Sequence, residues 1–363
     1  MHQSYQAKRR RGLLSQLRTR LSQSHQQIAD TSAVFTADTG ALLLAPVPDT
    51  APQITTGAAF APNGWLSLVP WLIPRRSTVV IEPPAGRAPS QALLLLHGCD
   101  QDADSFARNT GAYQLATDHG WVVVLVSQSP LANPHKCWNW FDANTQHGGG
   151  EVAIAMSALD SVTAQWHIKP AQTYLAGMSS GAALAAAICA NHPNRFAAAM
   201  FHSGVSFRAS ESALTAKSVL ENGVRRDRDV TKLVKHSSDT AALIIHGADD
   251  PTVNPEHAHE LMRQTLTLSG HIDAGGGLPA GCSTRRQLAA NRYMTTTNYG
   301  PHRYIRIDGL GHAWSGGSAN GASYFDDTGP DAFELMRIFF DDVSRRIRPG
   351  TSPQLQKVAV LSS

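Results

Sequence analysis

The chain has 363 residues, of which 42% are hydrophobic and 16% are charged, and its formal net charge is +3. This length accommodates one large α/β domain or two smaller ones, and the apolar content allows a substantial core. The mild charge argues against nucleic-acid binding across the whole surface. Four cysteines without C-x-x-C spacing are too few for a disulfide scaffold, and no apolar run approaches a membrane span.

Residues 1–63 are predicted to form a basic segment followed by a Pro-rich linker over residues 31–63. In the segment Lys8–Leu21, leucines fall on one helical face and arginines on the other. A solvated or frayed helix is the favoured interpretation, and contact with an anionic membrane or granule surface is the alternative. No apolar signal core follows the basic residues, so a cytoplasmic location is expected, with secretion by another route left open.

From about Trp65 onward, short apolar runs alternate with segments of helical spacing. The runs stop at Pro or Gly, as buried strands do, and they are STVVIEPP, ALLLLHG, WVVVLVSQ, TYLAG, FAAAMFHSG, AALIIHG and HRYIRIDG. Helical segments are expected at 104–120, 151–166, 181–193, 255–266 and 330–347. This alternation predicts an α/β fold over residues 64–348, a mostly parallel central sheet with helices on both faces. Residues 207–238 are a candidate cap insertion, and residues 349–363 are a C-terminal tail.

Three candidate catalytic residues each follow an apolar run. Ser179 is the central residue of a G-x-S-x-G pattern after TYLA, Asp250 follows ALIIH, and His312 follows YIRIDGLG. Ligands bind at the carboxyl ends of strands in an open parallel sheet, and the order Ser, Asp, His is that of an α/β-hydrolase. A serine hydroxyl needs a base such as imidazole, and a carboxylate orients that base. Asp249 competes with Asp250, which is preferred because it lies farther from the strand end.

Two backbone amides are predicted to form an oxyanion hole. One belongs to Ser180, the residue after the nucleophile, and the other to Cys99, in the loop that follows the run ALLLLHG. The second serine of the pattern is therefore expected to matter chiefly for its amide.

Five motifs carry a resemblance to a known family over residues 75 to about 345. LHGCDQ, CWNWF, GMSSGAAL, HGADDPTV and GLGHAWSGG, followed by GPDA, occur in the order found in polyhydroxybutyrate depolymerases, which are kin to feruloyl and acetylxylan esterases. The resemblance implies the same triad and the same oxyanion loop, Gly98-Cys99. Secreted members of the family carry a signal peptide and a separate substrate-binding domain. Neither pattern is found in this sequence, so intracellular polymer, soluble oligomers or other esters are the expected substrates.

The resemblance also places other residues near the pocket. Trp138, Trp140 and Trp314 become candidate substrate-binding residues, with Trp314 favoured because it lies two residues from His312. Core packing is the alternative for all three. A disulfide between Cys99 and Cys137 is implied as well, and two reduced thiols are the alternative in a cytoplasmic protein.

The expected function is a serine esterase that cleaves poly(3-hydroxybutyrate), its oligomers or another carboxylic ester, and that requires no metal or cofactor. His257 and His259 are two residues apart, so they do not share a helix face as a zinc site would need. A peptidase or amidase with the same triad is one rival. A non-catalytic protein of a granule or membrane surface is the other. The oligomeric state stays open.

Overall fold

The computed structural model describes residues 50–60, 75–223, 237–272, 277–279, 283–318 and 323–347. The predictions for the segment Lys8–Leu21, for the linker before residue 50 and for the tail 349–363 lie outside the described residues. The same holds for residues 224–236 of the candidate cap insertion.

Ten strands form one sheet at the centre of the described residues. Their bounds are β1 Gln53–Phe60, β2 Arg75–Glu82, β3 Gln91–Leu96, β4 Trp121–Val126, β5 Thr173–Met178, β6 Ala198–His202, β7 Ala241–Gly247, β8 Ser283–Ala289, β9 Arg292–Tyr299 and β10 His302–Ile307. The strand order is β1-β2-β4-β3-β5-β6-β7-β10-β9-β8. Strands from β4 to β10 in this order pair in parallel, and antiparallel strands are added at both edges.

Helices surround this sheet, and two further strands form a separate small pair. The helices are α1 Ala103–Thr110, α2 Ala112–His119, α3 Ala143–Gln146, α4 Gly150–Gln165, α5 Ser180–Asn191, α6 Ala213–Asn222, α7 Glu256–Leu268 and α8 Ala332–Ile347. The small pair consists of β11 Trp314–Ser315 and β12 Phe325–Asp326. In the described part of the chain, no helix is both long and apolar enough to cross a membrane.

The central strands are apolar on both faces because helices cover both sides of the sheet. In β3, Leu94 and Leu96 face a core cluster that also contains residues of α4, α5 and α7. Leu93 and Leu95 face the opposite cluster, which contains residues of α1, α2 and α8. Successive strand side chains point to opposite faces, so an uninterrupted run of leucine fills both cores. The α/β prediction, a mostly parallel sheet between two helical layers, is confirmed.

The edge strands correct the predicted linker and add elements that the apolar pattern missed. Residues 53–60, assigned above to the linker, form β1, which pairs along its whole length with β2. Seven of its eight residues are exposed, so no buried face gives a periodic signal. The β8–β9 hairpin is similarly polar, and most of β8 is exposed. Backbone hydrogen bonds hold both edge strands in place. Because these bonds do not require apolar side chains, the pattern of apolar residues does not reveal the strands.

One predicted helix is divided. The expected helix over 104–120 is split into α1 and α2 at Gly111, where φ is 91°. This left-handed conformation ends the first helix at low cost because glycine has no Cβ.

Candidate active site

Ser179 lies on a sharp turn between β5 and α5. Its φ and ψ are 54° and −119°, a conformation that costs a non-glycine residue about 1–3 kcal/mol and persists only where its surroundings enforce it. A Cβ at Gly177 would collide with the backbone of Gly181, and a Cβ at Gly181 would collide with the carbonyls of Leu96 and His97. The G-x-S-x-G spacing is therefore a packing requirement, since α5 starts directly against the end of β3.

The three candidate catalytic residues meet at one edge of the sheet. They follow β5, β7 and β10, and β7 and β10 are parallel neighbours. His312 Nε2 lies 2.9 Å from Ser179 Oγ, and His312 Nδ1 lies 2.8 Å from Asp250 Oδ2. The structure brings these three side chains together, and both contacts are within hydrogen-bond distance.

Asp250 is held by groups on both of its carboxylate oxygens. Oδ1 accepts the amides of Thr252 and Val253, each at 2.9 Å, while Oδ2 accepts His312 Nδ1–H and lies 3.4 Å from His246 Nε2. Burial disfavours the charged carboxylate, but hydrogen bonds from His246 and His312 outweigh it and hold the pKa of Asp250 far below its usual range. The carboxylate is thus ionised at neutral pH. With His312 Nδ1–H donating to it, Nε2 of the neutral imidazole is the acceptor that faces the serine.

Asp249 takes no part in this arrangement. Its side chain is exposed, and its amide donates to the carbonyl of Leu310. The preference for Asp250 over its neighbour agrees with this geometry.

The loop after β3 lies against the nucleophile. A carbon placed at the Cβ position of Gly98 would lie 3.4 Å from the Ser179 Cβ. Within the described residues, neither the Cys99 amide nor the Ser180 amide has a hydrogen-bond acceptor. Two unpartnered donors beside the nucleophile suit a developing oxyanion.

A neutral histidine sets the shape of this loop. His97 Nε2 accepts the Gln128 amide at 3.0 Å, and Nδ1–H donates to the Gly98 carbonyl at 2.6 Å. Burial lowers the pKa of His97 to about 4, so the imidazole keeps this tautomer at neutral pH. The Gly98 amide in turn donates to Gln101 Oε1 at 2.8 Å.

A disulfide joins the same loop to the CWNWF segment. Cys99 and Cys137 are bonded, with an S–S distance of 2.10 Å. The Trp138 amide donates to Ser180 Oγ at 3.3 Å, and its indole Nε1–H donates to the His97 carbonyl at 3.0 Å. The Ser180 hydroxyl therefore has a structural contact of its own, whereas the sequence predicts that this residue matters chiefly for its amide.

The structure corrects the assignment of the three tryptophans to the pocket. Trp138 and Trp314 are completely buried, and Trp140 is 5% exposed. Trp314 packs edge-on against Phe106 and stacks on His202, with ring centroids 5.4 and 5.2 Å away. An indole contributes most to stability when its large apolar surface is removed from water. Burial of this surface accounts for the position of all three tryptophans in the core.

Other residues form the cleft beside Ser179 and His312. The cleft has a volume of about 80 Å³, and its remaining lining residues are Gly98, Cys99, Gln101, Met178, Leu220, Thr252 and Tyr324. Leu220 and Tyr324 were absent from the predicted site because they lie in none of the five motifs, and Thr252 lies in HGADDPTV but was assigned no role. Leu220 comes from α6, in the segment assigned above to a cap insertion. Among the described residues, three larger depressions of about 380, 340 and 270 Å³ are lined by none of the triad.

The histidines of PEHAHE have separate local contacts. His257 is buried, and its Nε2–H donates to the Val219 carbonyl at 2.7 Å, whereas His259 lies 3.4 Å from a carboxylate oxygen of Glu256. Within the described residues, no three His, Cys, Asp or Glu side chains converge on a common metal position.

The sheet, the turn at Ser179 and the order of the three residues define an α/β-hydrolase fold. The family model described as Esterase PHB depolymerase matches residues 77–289, more than half of the chain. The chain belongs to this family.

Two relatives are similar to the chain in sequence, and one solved structure is similar to it in fold. The chain is 27% identical over 211 residues to poly(3-hydroxyalkanoate) depolymerase C of Paucimonas lemoignei, covering 54% of this chain and 51% of that protein. It is 26% identical over 256 residues to acetylxylan esterase A of Talaromyces purpureogenus, covering 64% and 65%. It thus spans about half to two thirds of the length of these relatives. The solved acetyl xylan esterase from Aspergillus awamori has a TM-score of 0.62 at 18% identity, covering 80% of this chain and 99% of that one, and shows the fold alone.

Proposed function

We propose that this chain is a serine carboxylesterase that works through an acyl-enzyme intermediate. The observation that carries the proposal is the hydrogen-bonded series from Ser179 Oγ through His312 to Asp250, with contacts of 2.9 and 2.8 Å. A serine hydroxyl becomes an effective nucleophile only with a base at such a distance. Membership of an esterase family supports the same class of reaction.

In the acylation step, Ser179 Oγ attacks the ester carbonyl carbon while His312 Nε2 takes the hydroxyl proton. The carbonyl electrons move onto oxygen, and the oxyanion accepts hydrogen bonds from the amides of Cys99 and Ser180. Each such donor contributes roughly 3 kcal/mol to transition-state stabilisation. The ionised Asp250 stabilises the imidazolium. When the intermediate collapses, the ester C–O bond breaks and His312 returns the proton to the departing alkoxide.

In the deacylation step, His312 takes a proton from water as the water oxygen attacks the acyl carbon. The same two amides hold the second oxyanion. Collapse breaks the bond to Ser179 Oγ, which regains its proton from His312, and the carboxylic acid leaves.

Short aliphatic esters, such as oligomers of 3-hydroxybutyrate, are the proposed substrates. The cleft volume of about 80 Å³ is roughly half that of an engineered cavity of about 150 Å³ that holds benzene. A short acyl group therefore fits this cleft better than an aromatic ring of the feruloyl kind. The relative named poly(3-hydroxyalkanoate) depolymerase C supports the hydroxyacyl class.

Acetyl esters of carbohydrates are the second candidate, because an acetyl group also fits the small cleft and a relative is named acetylxylan esterase A. Measurement of kcat/KM on hydroxybutyrate oligomers, acetylated xylo-oligomers and a feruloyl ester separates the candidates. We expect the hydroxybutyrate oligomers to be the best substrates and the feruloyl ester to be the poorest. A preference for the feruloyl ester would contradict the size argument.

A fluorophosphonate probe tests the nucleophile itself. We expect wild type to be labelled on Ser179 and Ser179→Ala to remain unlabelled. Ser180→Ala is the matched control, since it keeps the amide and should still react, more slowly, because the hydroxyl contact to the Trp138 amide is lost. Labelling that persists in Ser179→Ala and disappears in Ser180→Ala would show that the wrong serine was chosen.

A further inference from the structure

A second buried histidine lies on the far side of the Asp250 carboxylate from His312. His246 is the sixth residue of β7, four residues before Asp250, and it is 1% exposed. Its Nε2 lies 3.0 Å from the Val253 carbonyl oxygen and 3.4 Å from Asp250 Oδ2. The ring therefore contacts both ends of the turn that carries the proposed triad acid.

The contacts of His246 fix its tautomer. The Val253 carbonyl only accepts hydrogen bonds, so Nε2 of His246 must carry a proton. Its Nδ1 is buried, and within the described residues it has no hydrogen-bond partner. A proton there would be a buried donor without an acceptor, which is costly. His246 thus presents its Nε2–H to the turn.

Asp250 needs such a contact because its carboxylate must point in one direction. Two amides hold Oδ1, those of Thr252 and Val253. Oδ2 faces His312 Nδ1 and, on another side, the Nε2–H of His246. The Nε2–H of His246 thus lies between the Val253 carbonyl, at the end of the turn, and the Asp250 carboxylate, at the start of the turn.

We propose that His246 is a positioning residue, whose Nε2–H spans the turn from Asp250 to Val253 and keeps Asp250 Oδ2 directed at His312. The inference rests on the proposed esterase function. His246 touches neither substrate nor reacting atoms in this scheme, and it acts through the carboxylate. Its loss should lower kcat by a larger factor than it changes KM, because His246 itself does not line the cleft.

Three substitutions at His246 separate the donor from the bulk of the ring. His246→Leu removes the N–H. His246→Gln places an amide N–H near the position of Nε2, and His246→Asn places it near that of Nδ1. A hydrogen bond to a charged group corresponds to about a 10- to 100-fold change in rate. On p-nitrophenyl butyrate we expect Leu and Asn to lower kcat by that factor and Gln to recover most of it.

His257 provides a matched control. It is also buried, its Nε2–H also donates to a backbone carbonyl, and its Nδ1 also has no partner within the described residues, but its acceptor is Val219 on α6. His257→Leu should lower the free energy of unfolding in urea and change KM, because Val219 precedes the cleft residue Leu220, while kcat stays within about twofold of wild type. The Gln and Asn pair keeps the test decisive if either leucine variant folds poorly.

The outcomes are distinguishable. A wild-type kcat in His246→Leu, equal losses in the Gln and Asn variants, or an equal loss in His257→Leu would overturn the positioning role while the esterase function stands. If wild-type protein hydrolyses no ester and Ser179 takes no fluorophosphonate label, both proposals fail together.

Discussion

The two sides of the candidate site are built differently. On one side, Ser179, Asp250 and His312 follow buried central strands, and each is fixed by several short contacts. On the other side, Leu220, Thr252 and Tyr324 come from a surface helix and from loops, and all three are at least partly exposed.

This difference separates the chemistry from the choice of substrate. Proton transfer requires atoms to stay within a few tenths of an ångström, which a packed sheet edge provides. A cleft wall needs only a shape, and a single side chain can change it. Substitutions on the first side should therefore abolish the reaction, whereas substitutions on the second should redirect it.

The largest expected effect tests the acid. Asp250→Ala should lower kcat by roughly 10⁴-fold, because the orienting carboxylate of such a triad accounts for about that factor. Asp249→Ala is the matched control, since its side chain is exposed, and its kcat should remain close to that of wild type. Steady-state kinetics on p-nitrophenyl butyrate decide between them. A crippled Asp249→Ala with an active Asp250→Ala would reverse the assignment.

A smaller effect is expected from the disulfide that ties the oxyanion loop to residue 137. The double variant Cys99→Ser, Cys137→Ser should lose about 3–4 kcal/mol of stability, given a sequence separation of 38. The fold decrease in its kcat should be about ten times the fold change in its KM, because oxyanion donors act in the transition state. Urea unfolding and kinetics measure both effects. A double variant with wild-type stability and kcat would contradict this role.

The disulfide also bears on location. Such bonds persist in oxidising compartments and are rare in the cytosol, so this bond and the expected cytoplasmic location oppose each other. Counting free thiols by intact mass in protein taken from cells tests both. Four free thiols would support the cytoplasmic proposal, and two would support an oxidising compartment.

The cleft wall should respond differently. Leu220→Ala should raise kcat/KM for p-nitrophenyl hexanoate relative to the acetate by about tenfold, because one methylene in an apolar pocket changes binding by about 1–3 kcal/mol. Leu214→Ala is the control, since Leu214 lies on the same helix, is 94% exposed and does not line the cleft. A chain-length profile unchanged by Leu220→Ala would mean that this wall does not bound the acyl group.

A buried histidine outside the catalytic site, His302, should make the free energy of unfolding depend on pH. Burial lowers the pKa of His302 to about 4, so between pH 6.5 and 4 the unfolded chain binds a proton that the folded chain does not. Its contribution is fully present above pH 6.5 and is lost as pH falls toward 4. Urea unfolding at pH 7.5 and 5 should show a weaker pH dependence in His302→Gln, by up to about 1.4 kcal/mol per pH unit. Equal slopes in both proteins would contradict the burial argument.

The smallest effect is expected at the N-terminus. We propose that the basic segment Lys8–Leu21 takes no part in the chemistry, and the alternative to a solvated helix, contact with anionic or polymer-granule surfaces, is tested by the same deletion. Deletion of residues 1–30 should leave kcat/KM on p-nitrophenyl butyrate nearly unchanged and should weaken vesicle or granule binding at low salt, where charges are least screened. Loss of soluble-ester activity would show that the segment contributes to the catalytic domain.

The sequence by itself determined the central sheet and the residues at its carboxyl edge. Buried parallel strands are continuous apolar runs, which can be recognised in a single sequence. The turn at Ser179 admits only glycine at positions 177 and 181, which can be recognised in the same way. Position after an apolar run, together with the order Ser, Asp, His, then indicated Asp250 and His312, and distance from the strand end favoured Asp250 over Asp249.

Tertiary structure alone decided the edges of the sheet and the wall of the cleft. Strands β1 and β8 are held by backbone pairing, which any side chains permit, and they therefore carry no apolar pattern. Trp314 looked like a pocket residue because it lies two residues from His312, and Trp138 and Trp140 did because the family resemblance places CWNWF near the pocket, yet packing buried all three. Leu220 reaches the cleft because α6 folds over it, and His246 reaches Asp250 because the turn doubles back. The Leu220 contact depends on how distant segments pack, which no local pattern records, whereas the His246 contact joins residues four apart and depends on the conformation of the turn.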